Sequence, residues 1–125
     1  MTTTLAYKVI YRGANDGFYS AVAVGDLCVH YKVGEYVSSP FGPLFVFATL
    51  EDAIDFGGRD RDAEVWYAEV QNMRDCPPMV LGPEIVFDAD LARKFWRDPN
   101  VYTGPLVYVP RGTKIADAVK LLEKR

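Results

Sequence analysis

Alternating apolar and polar residues along the chain predict several short β-strands. The clearest alternation lies at residues 6–12 (AYKVIYR) and 63–71 (AEVWYAEVQ). In the second segment, one predicted face carries Val65, Tyr67 and Glu69, and the other carries Glu64, Trp66, Ala68 and Val70. Further strands are predicted within 19–33 on either side of a Gly25-Asp26 hairpin turn, at 44–48, at 79–81, before Asp88, and within 104–113.

The stretch GPLFVFATLEDAIDFGG, residues 42–58, predicts a strand that runs directly into a short helix. Thr49 occupies the expected N-cap position, and Asp52 three residues later completes a variant of the capping box. Acidic residues in this first turn favour the positive end of the helix dipole. The pair Gly57-Gly58 is expected to end the helix after about two turns with a left-handed residue. The stretch is therefore interpreted as a structural joint.

Two more helices are predicted in the second half of the chain. The first spans about 89–97, with Asp88 as its N-cap and Pro99 beyond its end. The second is expected within 113–125 (TKIADAVKLLEKR), where apolar residues recur at helical spacing after Thr113. An alternative interpretation makes residues 113–117 extended.

Together these elements predict an α+β fold. We expect a single domain over residues 1–125, with a mainly antiparallel, twisted sheet of about five to seven short strands and about two or three short helices packed on it. No repeat or low-complexity linker divides the chain.

Charge and hydropathy narrow the expected classes of partner. The net charge of −3 argues against general nucleic-acid binding, which usually requires an excess of Lys and Arg. No apolar run has the roughly 20 residues of a membrane helix, and the N-terminus lacks the features of a secretion signal. We therefore expect a cytoplasmic protein that does not bind membranes. One Gln and three Asn in 125 residues favour a thermophilic source.

The sequence offers few metal-binding or nucleophilic residues. His30 is the only histidine, and Cys28 and Cys76 are far apart, so no recognisable zinc site is predicted. Both cysteines are expected to be buried free thiols, with a disulfide as the alternative in a hyperthermophile. The acidic run 60–64 lacks the glycine and glutamate of a calcium loop and is interpreted as a solvated turn. No metal cofactor is therefore expected.

Aromatic residues make up 14% of the chain, more than a small core readily accommodates. Since Trp, Tyr and Arg dominate protein interfaces, some of these side chains are predicted to form an interaction surface. The predicted function is thus that of a non-catalytic accessory protein that binds a protein partner or forms a homodimer. The candidate interaction residues are Trp66, Tyr67, Phe95, Trp96, Arg97 and Tyr102.

An alternative function comes from the order of three residues along the chain. Arg12 ends the first strand, Ser38 lies in YVSSPF, and Glu69 lies on a later strand, with Glu64 as its substitute. This order resembles the pattern of the ADP-ribosyltransferase superfamily. The resemblance implies that Arg12 orients NAD, Ser38 supports the cleft and Glu69 stabilises an oxocarbenium-like transition state. The S-T-S and E-x-E motifs of that superfamily are absent.

A second resemblance covers residues 31–122. The segments YKVGEYV, GPLFVFATLEDAIDF, EVWYAEV and VPRGTKIADAVKLL resemble small α+β domains of phages and viruses to which no activity is assigned. This resemblance implies a fold and a viral or mobile-element origin, and it implies no mechanism.

Overall fold

The architecture was determined from a computed structural model. The structure describes residues 2–12, 18–20, 29–39, 42–57, 62–81, 89–98 and 106–125. Only the backbone is described at Arg12, 18–20, Leu81, Ala89 and Leu91.

The described residues form an α+β structure around one large, mainly antiparallel sheet, as the sequence predicts. The first six strands are β1 (Thr3–Arg12), β2 (Phe18–Ser20), β3 (His30–Tyr31), β4 (Tyr36–Val37), β5 (Leu44–Phe47) and β6 (Ala63–Gln71). The others are β7 (Arg74–Asp75), β8 (Met79–Leu81), β9 (Leu106–Tyr108), β10 (Thr113–Ala116) and β11 (Ala118–Lys124), with β8 and β9 in a separate two-stranded sheet. In the large sheet, seven strands follow one another in the order β4-β11-β6-β1-β5-β10-β7, and β2 and β3 extend it from the end of β1.

The long central pair β1 and β6 gives the large sheet two different faces. Ala6 lies opposite Ala68 and Lys8 opposite Trp66, and these residues point to what we call the core face. The odd-numbered residues of both strands point the other way, to what we call the helix face. The core face carries most of the buried apolar residues: Ala6, Ile10, Tyr31, Leu44, Val46, Trp66, Ala68, Val70, Ala116, Val119 and Leu121. The division of residues 64–70 between two faces was thus predicted correctly.

Helix α1 (Leu50–Gly57) covers part of the helix face. The Thr49 hydroxyl accepts a hydrogen bond from the Asp52 backbone N–H at 3.2 Å, which confirms the predicted N-cap. Ala53 is fully buried and packs with Val9 and Val65 in a second, smaller core. The joint between β5 and α1 therefore seats the helix on the sheet.

Helix α1 ends at Gly57 after about two turns, as the sequence predicts. Gly57 is still helical and does not adopt a positive φ, so it is not a left-handed cap. A Cβ at this position would lie 2.5 Å from Cγ1 of Val9, which is too close for any side chain. Gly57 is therefore required because the helix approaches β1 closely here. Gly58 lies outside the described residues.

Helix α2 (Ala89–Arg97) lies where the sequence predicts it. Phe95 is fully buried, and its ring meets that of Trp96 edge-on at 4.9 Å between centroids. Trp96 also packs against Phe45 of β5 and lies close to the backbone of Gly42. Trp96 thus anchors this helix to the sheet, with the buried Phe95 ring packed beside it.

The prediction of a helix over residues 113–125 is wrong, and the alternative of an extended segment is nearer to the structure. The segment forms β10 and β11, separated at Asp117. Thr113 does not cap a helix, because its hydroxyl donates to the Pro110 carbonyl at 2.6 Å within a turn. Val119 and Leu121 are fully buried in alternation with the partly exposed Lys120. The segment forms a strand instead of a helix because long-range pairing with β6 buries both Val119 and Leu121.

Several predicted features lie outside the described residues. They are the Gly25-Asp26 hairpin turn, the strand before Asp88, the cap at Asp88, and Cys28. The predicted strand within 104–113 is confirmed as β9, and residues 79–81 are confirmed as β8.

Candidate functional site

Four residues from four neighbouring strands form a straight line across the part of the helix face that α1 does not cover. Tyr36 of β4 lies opposite Lys120 of β11, Lys120 lies opposite Glu69 of β6, and Glu69 lies opposite Leu5 of β1. Adjacent strands are about 4.8 Å apart, so the line is about 14 Å long. We call these four residues the cross-strand row.

The centre of the row is held by polar contacts. The Tyr36 hydroxyl donates to Oε1 of Glu69, and Nζ of Lys120 lies 3.8 Å from the same oxygen. The Lys120 ammonium also lies 4.7 Å from the centroid of the Tyr36 ring, within the range of a cation–π contact. These contacts fix the orientation of three side chains on the surface of the sheet.

The hydrogen bond to Glu69 also changes the acidity of Tyr36. The hydrogen bond favours the protonated phenol, and desolvation and the negative charge of Glu69 act in the same direction, so the pKa of Tyr36 is raised. The phenol therefore stays neutral and remains a donor under physiological conditions.

The two ends of the row are apolar and accessible. Leu5 is 51% exposed and Tyr36 is 38% exposed, although both lie on a regular part of the sheet. Helix α1 packs instead beside Val9, Phe47 and Val65, farther along the strands. A sheet face usually packs on another layer, so the uncovered row is a candidate binding surface.

The neighbouring residues frame the row. On one side, Tyr7 and Tyr67 lie opposite each other with their rings edge-on, 5.4 Å between centroids, and Arg125 lies over the Tyr67 ring. On the other side, Gln71 lies opposite both Thr3 and Ala118. The row is thus bordered by aromatic rings toward α1 and by small or polar side chains at the open end.

A buried lysine distinguishes the core face. Lys8 is 6% exposed, its Nζ donates to the Phe45 carbonyl at 2.6 Å, and it lies 5.4 Å from the centroid of the Tyr31 ring. Burial lowers the pKa of Lys8 from 10.5 to about 7. The amine is therefore partly neutral near physiological pH.

Two of the predicted interaction residues are buried in the structure. Trp66 is only 8% exposed, and its indole N–H donates to Glu64 at 3.0 Å on the core face. Phe95 is fully buried. The expectation that these two rings form an exposed surface is wrong, because each packs into the interior.

The remaining predicted interaction residues are scattered. Tyr67 is half-buried beside the cross-strand row, and Trp96 is half-buried against Phe45. Arg97 is exposed at the end of α2. Tyr102 lies outside the described residues. Of the five that the structure describes, Tyr67 alone borders the row.

The residues of the ADP-ribosyltransferase resemblance lie toward different ends of the sheet. Ser38 directly follows β4, at the same end as Glu69. The backbone of Arg12 lies seven residues along β1 from Leu5, which is opposite Glu69, and this separation is about 23 Å. Glu64 lies opposite Ile10, near Arg12, but it points to the core face. The use of NAD stays a prediction.

The other candidate residues do not add a site. His30 is exposed on β3, and Asp62 is exposed in the turn before β6. Cys76 is a half-buried free thiol, and burial raises its pKa to about 11, which makes it a poor nucleophile. Across the described ranges, no three His, Cys, Asp or Glu residues are arranged to hold a metal ion.

Comparisons of the chain with models of known protein families, with curated proteins and with solved structures give no match. Neither of the helices that the structure describes is long and apolar enough to cross a bilayer.

Sequence reasoning found Glu69 and missed the rest of the row. Lys120 lies in the segment predicted to be helical, and no strand is predicted at Tyr36. Leu5 stands one residue before the predicted first strand. The available signal was the charged Lys120 between the apolar Val119 and Leu121, a pattern that is also compatible with a short helix.

Proposed function

We propose that this protein is a non-catalytic interaction protein that binds a protein partner through the cross-strand row. The single observation that supports this proposal is the exposure of Leu5 and Tyr36 at either end of a regular, uncovered part of the sheet. Covering two such side chains removes apolar area from water, which is worth about 25 cal/mol per Å².

The arrangement of the row suits recognition rather than chemistry. Glu69 and Lys120 form an ion pair, and the Tyr36 hydroxyl donates a hydrogen bond to Glu69. A preorganised set of side chains loses little conformational entropy when a partner docks. Tyr36 in particular combines a large apolar ring with a polar group, as interface hot-spot residues do. The resemblance to phage and virus domains extends the proposal to an accessory role in a virus or mobile element.

A photo-crosslinking experiment tests the location of this surface. The photoreactive amino acid p-benzoylphenylalanine is placed at Leu5 in one variant and at Ile54 of α1 in a control. The two positions are 51% and 47% exposed, so they are matched for accessibility. After irradiation in the producing cells, we expect protein adducts with the probe at position 5 and few with the probe at position 54.

The mass of the adduct shows whether the partner is another protein or another copy of the chain. Equal adduct yields at both positions would contradict a binding surface at the row. Absence of adducts at position 5 would contradict the proposal as well.

A further inference from the structure

The order of side chains along the cross-strand row has a symmetry that points to its partner. Read across the sheet, the row is an apolar ring, a positive charge, a negative charge and an apolar side chain: Tyr36, Lys120, Glu69, Leu5. The two ends are alike in polarity, and the two central residues are opposite in charge. A surface of this kind is complementary to itself.

A two-fold axis shows the complementarity directly. If the axis lies parallel to the strands, between two facing sheets and midway between Lys120 and Glu69, it reverses the order of the row in the second copy. Each Lys120 then faces the second copy's Glu69, and each Leu5 faces its Tyr36. An isologous dimer needs a patch of this type, because the same surface must serve both partners.

We propose that the partner is a second copy of this chain, docked row against row about such an axis. This inference rests on the proposed function, since it identifies the partner of the same surface. Two sheets packed face to face lie about 10 Å apart with their strands roughly aligned, and side chains from both layers fill the gap. Two cross-strand rows provide such side chains.

Charge helps to select this arrangement over others. Within one copy, Lys120 and Glu69 form a surface ion pair at 3.8 Å, and such exposed pairs contribute little stability on their own. Between copies, each of these charges gains a second partner of opposite sign in a site with less water. A copy shifted by one strand would instead place like charges or an apolar end against a charge, which disfavours that register.

Charge reversal in two separate variants tests the inference. Glu69→Lys gives the row two positive residues, and Lys120→Glu gives it two negative residues. Each variant alone should self-associate about tenfold or more weakly than the unaltered chain, because like charges then face each other. An equimolar mixture should recover association to within about threefold, since every lysine again faces a glutamate. Sedimentation velocity over a concentration series measures all three.

The control is Asp75→Lys, which makes the same change of charge at β7, the opposite edge of the sheet from β4. This variant should associate like the unaltered chain. Circular dichroism establishes that each variant is folded. Should one variant fail to fold, the adducts formed by the probe at position 5 decide instead, since the inference requires a cross-link to the peptide that contains Tyr36 of a second copy.

An unaltered chain that stays monomeric at millimolar concentration would overturn the inference. So would a mixture that associates no better than the single variants. If adducts at position 5 contain a different protein while the chain is monomeric, the inference fails and the proposed function stands. If there are no adducts at position 5, both fail.

Discussion

The two faces of the large sheet are built from the same strands but have opposite characters. On the core face, Ile10, Ala68 and Val70 are fully buried, and the charged residue Lys8 is buried as well. On the helix face, α1 covers Val9 and Val65, and the remainder exposes the cross-strand row. The comparison shows that the core face buries most of the apolar core, while the helix face leaves Leu5 and Tyr36 exposed to solvent.

The largest expected effect concerns Lys8 on the core face. Its pKa falls from 10.5 in the unfolded chain to about 7 in the folded protein, so the unfolded chain binds more protons between these values. The free energy of unfolding should therefore rise with pH across this window, by about 5 kcal/mol for this group. The destabilisation caused by burying the protonated Lys8 amine is fully present below pH 7 and disappears above pH 10.5.

Lys8→Met removes the titrating group and retains most of the side-chain volume. Urea denaturation at several pH values from 6 to 10 measures the effect. The difference in stability between variant and unaltered protein should be largest at the acidic end and shrink as pH rises. A difference that does not change with pH would show that the Lys8 amine is hydrated in the folded state.

The next largest effect on stability is expected at Leu121 of β11, with its neighbour Leu122 as the control. Leu121 is fully buried in the core face, and Leu122 is 40% exposed. Leu121→Ala should lower the free energy of unfolding by about 3 kcal/mol, because it leaves a cavity. Leu122→Ala is the matched control and should cost less than about 1 kcal/mol. Chemical denaturation of both variants measures this, and similar losses would contradict the assignment of the two positions.

A smaller effect is expected at the joint that seats α1 on the helix face. Thr49→Ala removes the hydroxyl that accepts the Asp52 backbone N–H, and it should cost about 1 kcal/mol. Thr49→Ser keeps the acceptor and should restore most of the loss. Thermal denaturation of both variants compares them. A serine variant as unstable as the alanine variant would argue against capping.

The smallest effect is a change in acidity within the cross-strand row. The pKa of Tyr36 is raised first by its hydrogen bond to Glu69 and further by the nearby charge. Glu69→Gln removes that charge, so the pKa of Tyr36 should fall. Absorbance titration of the phenolate, with Tyr36→Phe used to identify the signal, measures the shift. An equal Tyr36 pKa in the unaltered protein and in the Glu69→Gln variant would show that the contact between Tyr36 and Glu69 is absent in solution.

Local sequence signals were sufficient for elements that are stabilised locally. Helix α1 follows from Thr49 and its acidic first turn, and the faces of β6 follow from strict alternation at 63–71. The same signals were wrong for residues 113–125, where short apolar spacing fits a helix and a strand equally well. Pairing of β11 with β6 decided between them, and that contact joins residues about 50 positions apart.

The candidate site was even less accessible from the sequence. Glu69 was a candidate through the resemblance to ADP-ribosyltransferases. Its neighbours in the row come from β4, β11 and β1, and only the strand register brings them together. Trp66 and Phe95 illustrate the opposite error, since their type suggested an interface and their packing placed them inside.

The sequence by itself determined the fold class, the position of both described helices and the absence of a strong positive charge. These properties depend on composition and on contacts within a few residues. The tertiary structure alone decided the fate of the C-terminal segment, the burial of Lys8 and the alignment of the cross-strand row. The physical reason is that strand register is a long-range property: each residue's neighbours across a sheet are set by hydrogen bonds to distant segments of the chain.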